Sequence, residues 1–336
     1  MKTFTSILVI ALLVSNSFAT VTTVSNNANS PGQYTNLQTA IDNAPNGDTL
    51  YVHGSPTSYG AVHLNRSLTL IGTGYNPQKD NPLVSEIATL YFDSVPGIKG
   101  CSNSTVMGFY ISSSMVDGTG SYPFNNMLIS LNRINQINLA PTSATGMIIK
   151  HNAIHSLYQL NRFTNLILRN NIIYNYVSIF QNCNSVLITN NLFFYNSQTN
   201  AVLQDFSTIA NNIFVGTHPN TSFSTFNNNL IFATSNDVLP YGNNTGSGNF
   251  NAVAPLFVNV PDYNNINFAY NYRLTTTSPG HNGGTDGSDI GPFGGLDPLP
   301  DLTGTPPVPQ IKVFNINNAV VSPSTPLNIY VKAKKQ

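Results

Sequence analysis

An asparagine recurs through the middle of this 336-residue chain, always at the same place in an apolar frame. The segments MLISLNRI, MIIKHNAI, LILRNNII, VLITNNLF, STIANNIF and STFNNNLI put Asn132, Asn152, Asn171, Asn191, Asn212 and Asn229 in one slot. TVMGFYI continues the series upstream with Phe109 in that slot, and successive intervals are 23, 20, 19, 20, 21 and 17 residues. The frame reads apolar-x-apolar-x-x-Asn-x-apolar. It has period two on both sides of a fixed break, and period two means strand. A break every ~20 residues means that each coil bends at the same place. Helical repeats need units of ~33–47 residues and apolar spacing near 3.6, and the leucine-rich consensus fails here. The pattern therefore predicts an all-β chain, a parallel β-solenoid in which each coil adds a rung of about 4.8 Å. Asparagine suits the bend because it tolerates positive φ. Its amide can also bond to the same amide one coil away, so the six asparagines are expected to form a ladder.

Composition limits the partners. Only 8% of residues are charged, with 13 basic and 13 acidic, and 49 asparagines make the polar surface mostly neutral amide. A clearly basic nucleic-acid domain is excluded. At 41% hydrophobic the chain can build a core. Residues 1–19 read as an export signal: Lys2, the apolar run Ile7 to Val14, then Ser17-Phe18-Ala19. That run is shorter than the ~20 residues needed to span a bilayer, and no later segment is apolar enough. A secreted, periplasmic or cell-surface protein starting near Thr20 is expected, acting as a monomer. Cys101 and Cys183 each precede a ladder slot by eight residues, but four coils apart. Four rungs are roughly 19 Å, far beyond the ~7 Å that a disulfide tolerates, so both are expected to be free, buried thiols.

The ends differ from the repeat. Leu37, Ala40, Ile41 and Ala44 have helical spacing, Pro45-Asn46-Gly47 closes the run, and Thr49 to Val52 reads as a strand. A short helix there would cover the open end of the solenoid. The stretch from Tyr34 to Gly74 resembles the N-terminal cap and first coil of right-handed parallel β-helices of the pectin-lyase-like superfamily. APLFVN (Ala254 to Asn259), YRLTTTSPG (Tyr272 to Gly280) and DIGPFGG (Asp289 to Gly295) are similar to the closing coils of secreted relatives of Bacteroidetes type. The resemblance covers residues 20–296, with one departure: relatives often carry an acid after the Ser-Pro turn, where this chain has His281-Asn282. Residues 297–310 read as a proline-rich linker. Residues 311–336 hold two strand-like runs, Ile311 to Ile316 and Leu327 to Lys334. They are too few for an independent core and are expected to form a hairpin docked on the solenoid.

The resemblance implies enzymes that act on uronic-acid polysaccharides. Hydrolases of this kind use clustered aspartates; lyases use an acidic calcium site or another neutraliser with a Lys or Arg base. No acidic residue lies between Asp117 and Asp205, and Glu86 is the one glutamate, so paired carboxylates for hydrolysis are missing. Lys150 and Arg169 both stand two residues before a ladder asparagine, in adjacent coils, and should stack about 4.8 Å apart on the outside. Arg133, Arg162, His151 and His155 share these coils, with Tyr158, Tyr174 and Tyr176 as aromatic faces. Such a cationic, aromatic patch suits an anionic polysaccharide or cell-surface glycan. The expected function is non-catalytic polysaccharide binding or adhesion. The alternative is a polysaccharide lyase with Lys150 or Arg169 as base, and solvated surface residues are the bland reading of the same patch. Asp286 and Asp289 are candidate Ca²⁺ ligands, against a glycine-rich cap turn; no other cofactor is implied. His53, His63, His218 and His281 lack metal-ligand spacing and read as surface or turn residues.

Overall fold

A computed structural model describes residues 19–79, 82–93, 100–118, 123–175, 180–195, 200–316 and 326–334; the export-signal reading lies outside them. The chain winds into a right-handed parallel β-solenoid of about nine turns. Two long sheets form its walls. The first has ten strands, from Val21–Val24 to Thr225–Asn227, and the second has eleven, from Ala61–Leu64 to Phe250–Asn251. Neighbouring strands within them are parallel and in register with the repeat, so Ile148–Lys150 pairs with Ile167–Arg169, and Lys150 opposes Arg169. The inward positions of the frame fill the core. Ile149, Leu168, Ile188, Ile209 and Phe226 stack from the first sheet, facing Ile154, Ile173, Phe193, Phe214 and Ile231 from the second. The cap is a helix over Leu37–Asn43, N-capped by Asn36, whose side chain accepts from the Thr39 amide at 2.9 Å. It buries Leu37, Ala40 and Ile41.

The bend between the two sheets divides its work between two residues. The first takes the left-handed conformation: Gly108, Leu131, His151, Asn170, Asn190, Asn211, Asn228 and Gly248 all have φ between 52° and 81°. The second is the ladder residue. Asn171 donates its backbone N–H to Asn191 Oδ1 at 3.0 Å. Its Nδ2 donates to Ile149 O, Arg169 O and Asn191 Oδ1, and its Oδ1 accepts from Asn152 N and Nδ2. The same pattern links Asn132 through Asn229, all with 0–1% exposure. At the top, Asn229 bonds to Asn249, a rung the sequence frame misses because TGSGN has no apolar pair before it. The asparagine that accepts φ > 0 is thus the neighbour of the ladder residue, not the ladder residue itself.

After Phe250–Asn251 the chain stops coiling. The segments expected to close the solenoid instead form an antiparallel pair, Phe257–Asn259 with Asn271–Leu274, which turns back over the outer wall. The reason is an outward apolar row, Ile172, Leu192, Ile213 and Leu230, directly after four ladder asparagines. Tyr272, Leu274, Ile290 and Leu299 cover it in a second core, each such side chain contributing roughly 1.5–3 kcal/mol on burial.

Cys101 and Cys183 are free and buried, as the register requires. Burial pushes the Cys101 thiol up to about 12. The terminal strands Gln310–Ile316 and Ile329–Lys334 do pair antiparallel. In the second, Ile329, Tyr330 and Val331 are half-exposed. No helix among the described residues is long and apolar enough to cross a membrane.

The two asparagines of one bend should respond differently to substitution. Asn191→Ala leaves the Asn171 backbone N–H without its acceptor in a dry site and takes one of the three acceptors of the Asn171 amide, and we expect a loss of about 2–4 kcal/mol in urea unfolding. Asn190→Gly keeps the left-handed backbone and gives up one long bond, Nδ2 to Gly291 O at 3.5 Å, so it should cost about 1 kcal/mol or less. Equal losses would show that the division of labour is wrong.

Candidate functional site

The returning segment runs the length of the bend, and the left-handed residues are its anchors. Asn228 Nδ2 donates to Gly283 O, and Asn211 exchanges bonds with Thr285. Asn170 Nδ2 donates to Pro292 O and Gly294 O at 3.0 and 2.8 Å. The His151 ring meets Asp297 O at 2.8 Å. Further along, Gly304 is packed so closely on Tyr75 that a Cβ there would sit 2.1 Å from the ring, and Pro306 lies against Gly108. The stretch read as a linker is therefore a strap pinned to the coils.

This strap decides the fate of Lys150 and Arg169. They stack as expected, but Asp297 Oδ2 accepts from Lys150 Nζ at 2.7 Å and Arg169 Nη2 at 2.6 Å. Burial works to raise the Asp297 carboxyl, and the pull of Lys150, His151 and Arg169 outweighs it, holding the group below the usual carboxylate range. His151 is pushed down, chiefly by burial. The acid missing from residues 118–204 is thus supplied from the tail. Between strap and sheet lies a cavity of about 610 Å³ lined by Met107, Leu128, Lys150, Pro300 and Asp301 among others.

Arg133 and His155 lie on a different wall, the outer face of the second sheet. The row buried by Ile172 and Leu192 continues there as Ala153 and Arg133, where the covering layer ends and a cleft opens. The Arg133 guanidinium lies 4.5 Å from the Tyr110 ring centroid and 5.1 Å from that of Phe268, within cation–π range. Two cavities, of about 220 and 260 Å³, meet at Arg133 and share Asn265, Ile266 and Phe268. Asn135 and His155 line one, Asn76 and Gln78 the other. Among the described residues no carboxylate forms an ion pair with Arg133. His155 is pushed down by burial first and by Arg133 second. Tyr174 extends this face, its ring 5.3 Å from His155. Phe268 and Asn265 come from outside the coils, so the repeat carries no sign of them.

The remaining candidates are dispersed. Arg162 sits at another corner with φ 60°, its Nη1 3.4 Å from Ala140 O and Pro141 O. Tyr158 is half-exposed, and Tyr176 lies outside the described residues. Asp286 accepts from Ser288, and Asp289 pairs with His281 at 2.7 Å and accepts from the Asn282 amide. Among the described residues no three His, Cys, Asp or Glu side chains are grouped to hold a metal ion. His63 pairs with Asp93. His218 is buried against Tyr241 rather than at the surface. No protein-family model matches the chain, and no curated protein is detectably similar to it.

The strap should be acid-sensitive through Asp297. Its folded carboxyl lies below the unfolded value of about 3.9, so its stabilisation is present above that pH and lost as pH falls through the folded pKa. Protection of the Leu299 amide, which bonds to Pro292 O, taken as its exchange rate relative to the free peptide at the same pH, should fall on acidification in the wild type. Asp297→Asn should exchange fast at neutral pH and show little further change.

Proposed function

We propose that this protein is an exported, surface-exposed solenoid that binds an acidic polysaccharide without cleaving it, through the cleft around Arg133. The observation that carries this reading is the guanidinium held between Tyr110 and Phe268, open to two cavities and paired with no described carboxylate. Stacking fixes the fork, and its donors are left to meet a sugar carboxylate or sulfate. Neutral amides from Asn76, Gln78, Asn135 and Asn265 surround it, suited to hydroxyl groups. The resemblance to pectin-lyase-like proteins supports an extended polymer as ligand, and the reading of residues 1–19 as an export signal supports an extracellular setting.

The lyase alternative centres on Lys150 and Arg169. A base there needs a free lone pair aimed at substrate, whereas both cations donate to Asp297. This favours a structural role for the pair and leaves ligand contact to Arg133, His155 and Tyr174.

Affinity electrophoresis on polygalacturonate, alginate and chondroitin sulfate tests the proposal. Retardation by at least one polymer is expected, weakened about tenfold, ~1.4 kcal/mol, in Arg133→Ala. Lys150→Ala should bind as the wild type does, and no ultraviolet-absorbing unsaturated product should accumulate. Unchanged binding in a folded Arg133→Ala variant, or steady formation of that product, would overturn it.

A further inference from the structure

A second left-handed position recurs in seven successive coils, six residues before the ladder slot, at the corner that leads into the first sheet. It is filled by Asn103, Asn126, Gly146, Asn165 and Ser185, with φ from 54° to 70°. Asparagine, glycine and serine are small, and the first two suit this backbone. The next two coils break the rule. Phe206 and Phe223 hold the same position at φ 58° and 54°, a genuine outlier for a bulky side chain. Neither ring goes into the core: Phe206 is 73% and Phe223 57% exposed. The rings lie parallel, 5.1 Å between centroids and 7° between planes. Backbone strain without burial gives the fold nothing that asparagine would not, and such strain gathers at functional positions.

The column supplies a geometry for binding. One face of Phe206 is covered by Phe223. The other looks along the solenoid over Ser185 and Asn165, both exposed and without rings, at steps of about 4.8 Å. That step admits one flat ring stacked on Phe206. Asp205, beside it, is exposed and uses Oδ1 to accept from the Ser222 amide at 2.7 Å. Asn184 is exposed one coil away. A flat apolar platform with polar groups at its rim and a carboxylate, not a cation, as the adjacent charge matches the C–H face of a neutral pyranose. An acidic sugar would be repelled by Asp205.

We propose that Phe206 and Phe223 form a binding platform for a neutral glycan chain, one ring of which stacks on Phe206 above Ser185. The platform stands before the first sheet in each coil and the Arg133 cleft at the start of the second, so the two sites are separate. This one does not depend on the acidic-polymer reading.

The test is calorimetric titration of the full chain with cellohexaose, xylohexaose, mannohexaose and chitohexaose, together with sedimentation velocity. Saturable binding of at least one hexaose is expected, weakened tenfold or more in Phe206→Asn/Phe223→Asn. The same double variant should have an equal or higher thermal midpoint, because asparagine relieves the left-handed strain, so lost binding cannot be lost folding. Phe206→Tyr should retain binding, and Arg133→Ala should leave it unchanged. No saturable binding of any of the four by the wild type, full binding by the asparagine variant, or a wild-type dimer that this variant converts to monomer would each overturn the proposal.

Discussion

A buried primary amide carries two donor hydrogens and two acceptor lone pairs, and in a dry site each must be met or the coil does not close. The asparagine ladder meets them all from within the solenoid. Every rung takes its acceptor from the rung above and offers its own carbonyl to the rung below, while the second hydrogen satisfies main-chain carbonyls of its own and the neighbouring coil. Because the amide-to-amide bonds span two coils, no coil is complete alone. The sheets, the stacked core and the fixed bend all follow from that shared requirement, as expected of a solenoid whose units contact only their neighbours.

Low charge fits the same scheme. In a stack, a side chain repeats at about 4.8 Å, so like charges in one column would repel along its whole length. The chain fills its columns with neutral amides instead. Where two cations do meet, at Lys150 and Arg169, the tail brings Asp297 between them. A clustered basic patch in the sequence thus became an ion triad in the structure, because the neutralising acid lies 147 residues from Lys150 and no local pattern could reveal it.

Much of the architecture was legible because it is periodic. The coils, the bend, the ladder, the capping helix and the separation of the two cysteines all follow from spacing. What escaped was whatever breaks the period. Asn171, Asn191, Asn212 and Asn229 are each followed by two apolar residues, so the row facing outward is apolar too. That doublet was the available sign of a covering layer. Asn132 and Asn152 are followed by Arg133 and Ala153, and there the cover stops. The candidate cleft was half legible for this reason: Arg133, His155 and Tyr174 belong to coils, while Phe268 and Asn265 come from an irregular loop whose docking is a matter of tertiary packing.

The strap has a consequence for how such a protein can change length. Solenoids commonly grow or shrink by whole coils, since each new unit meets the same neighbours. Here residues 283–306 contact successive left-handed corners from Asn228 to Gly108 in reverse order, like a ruler laid against its own scale. Inserting or deleting one coil between them would put every later anchor out of step by a rung. The tail therefore fixes the number of turns, and the cavity between strap and sheet stays at a set height on the stack.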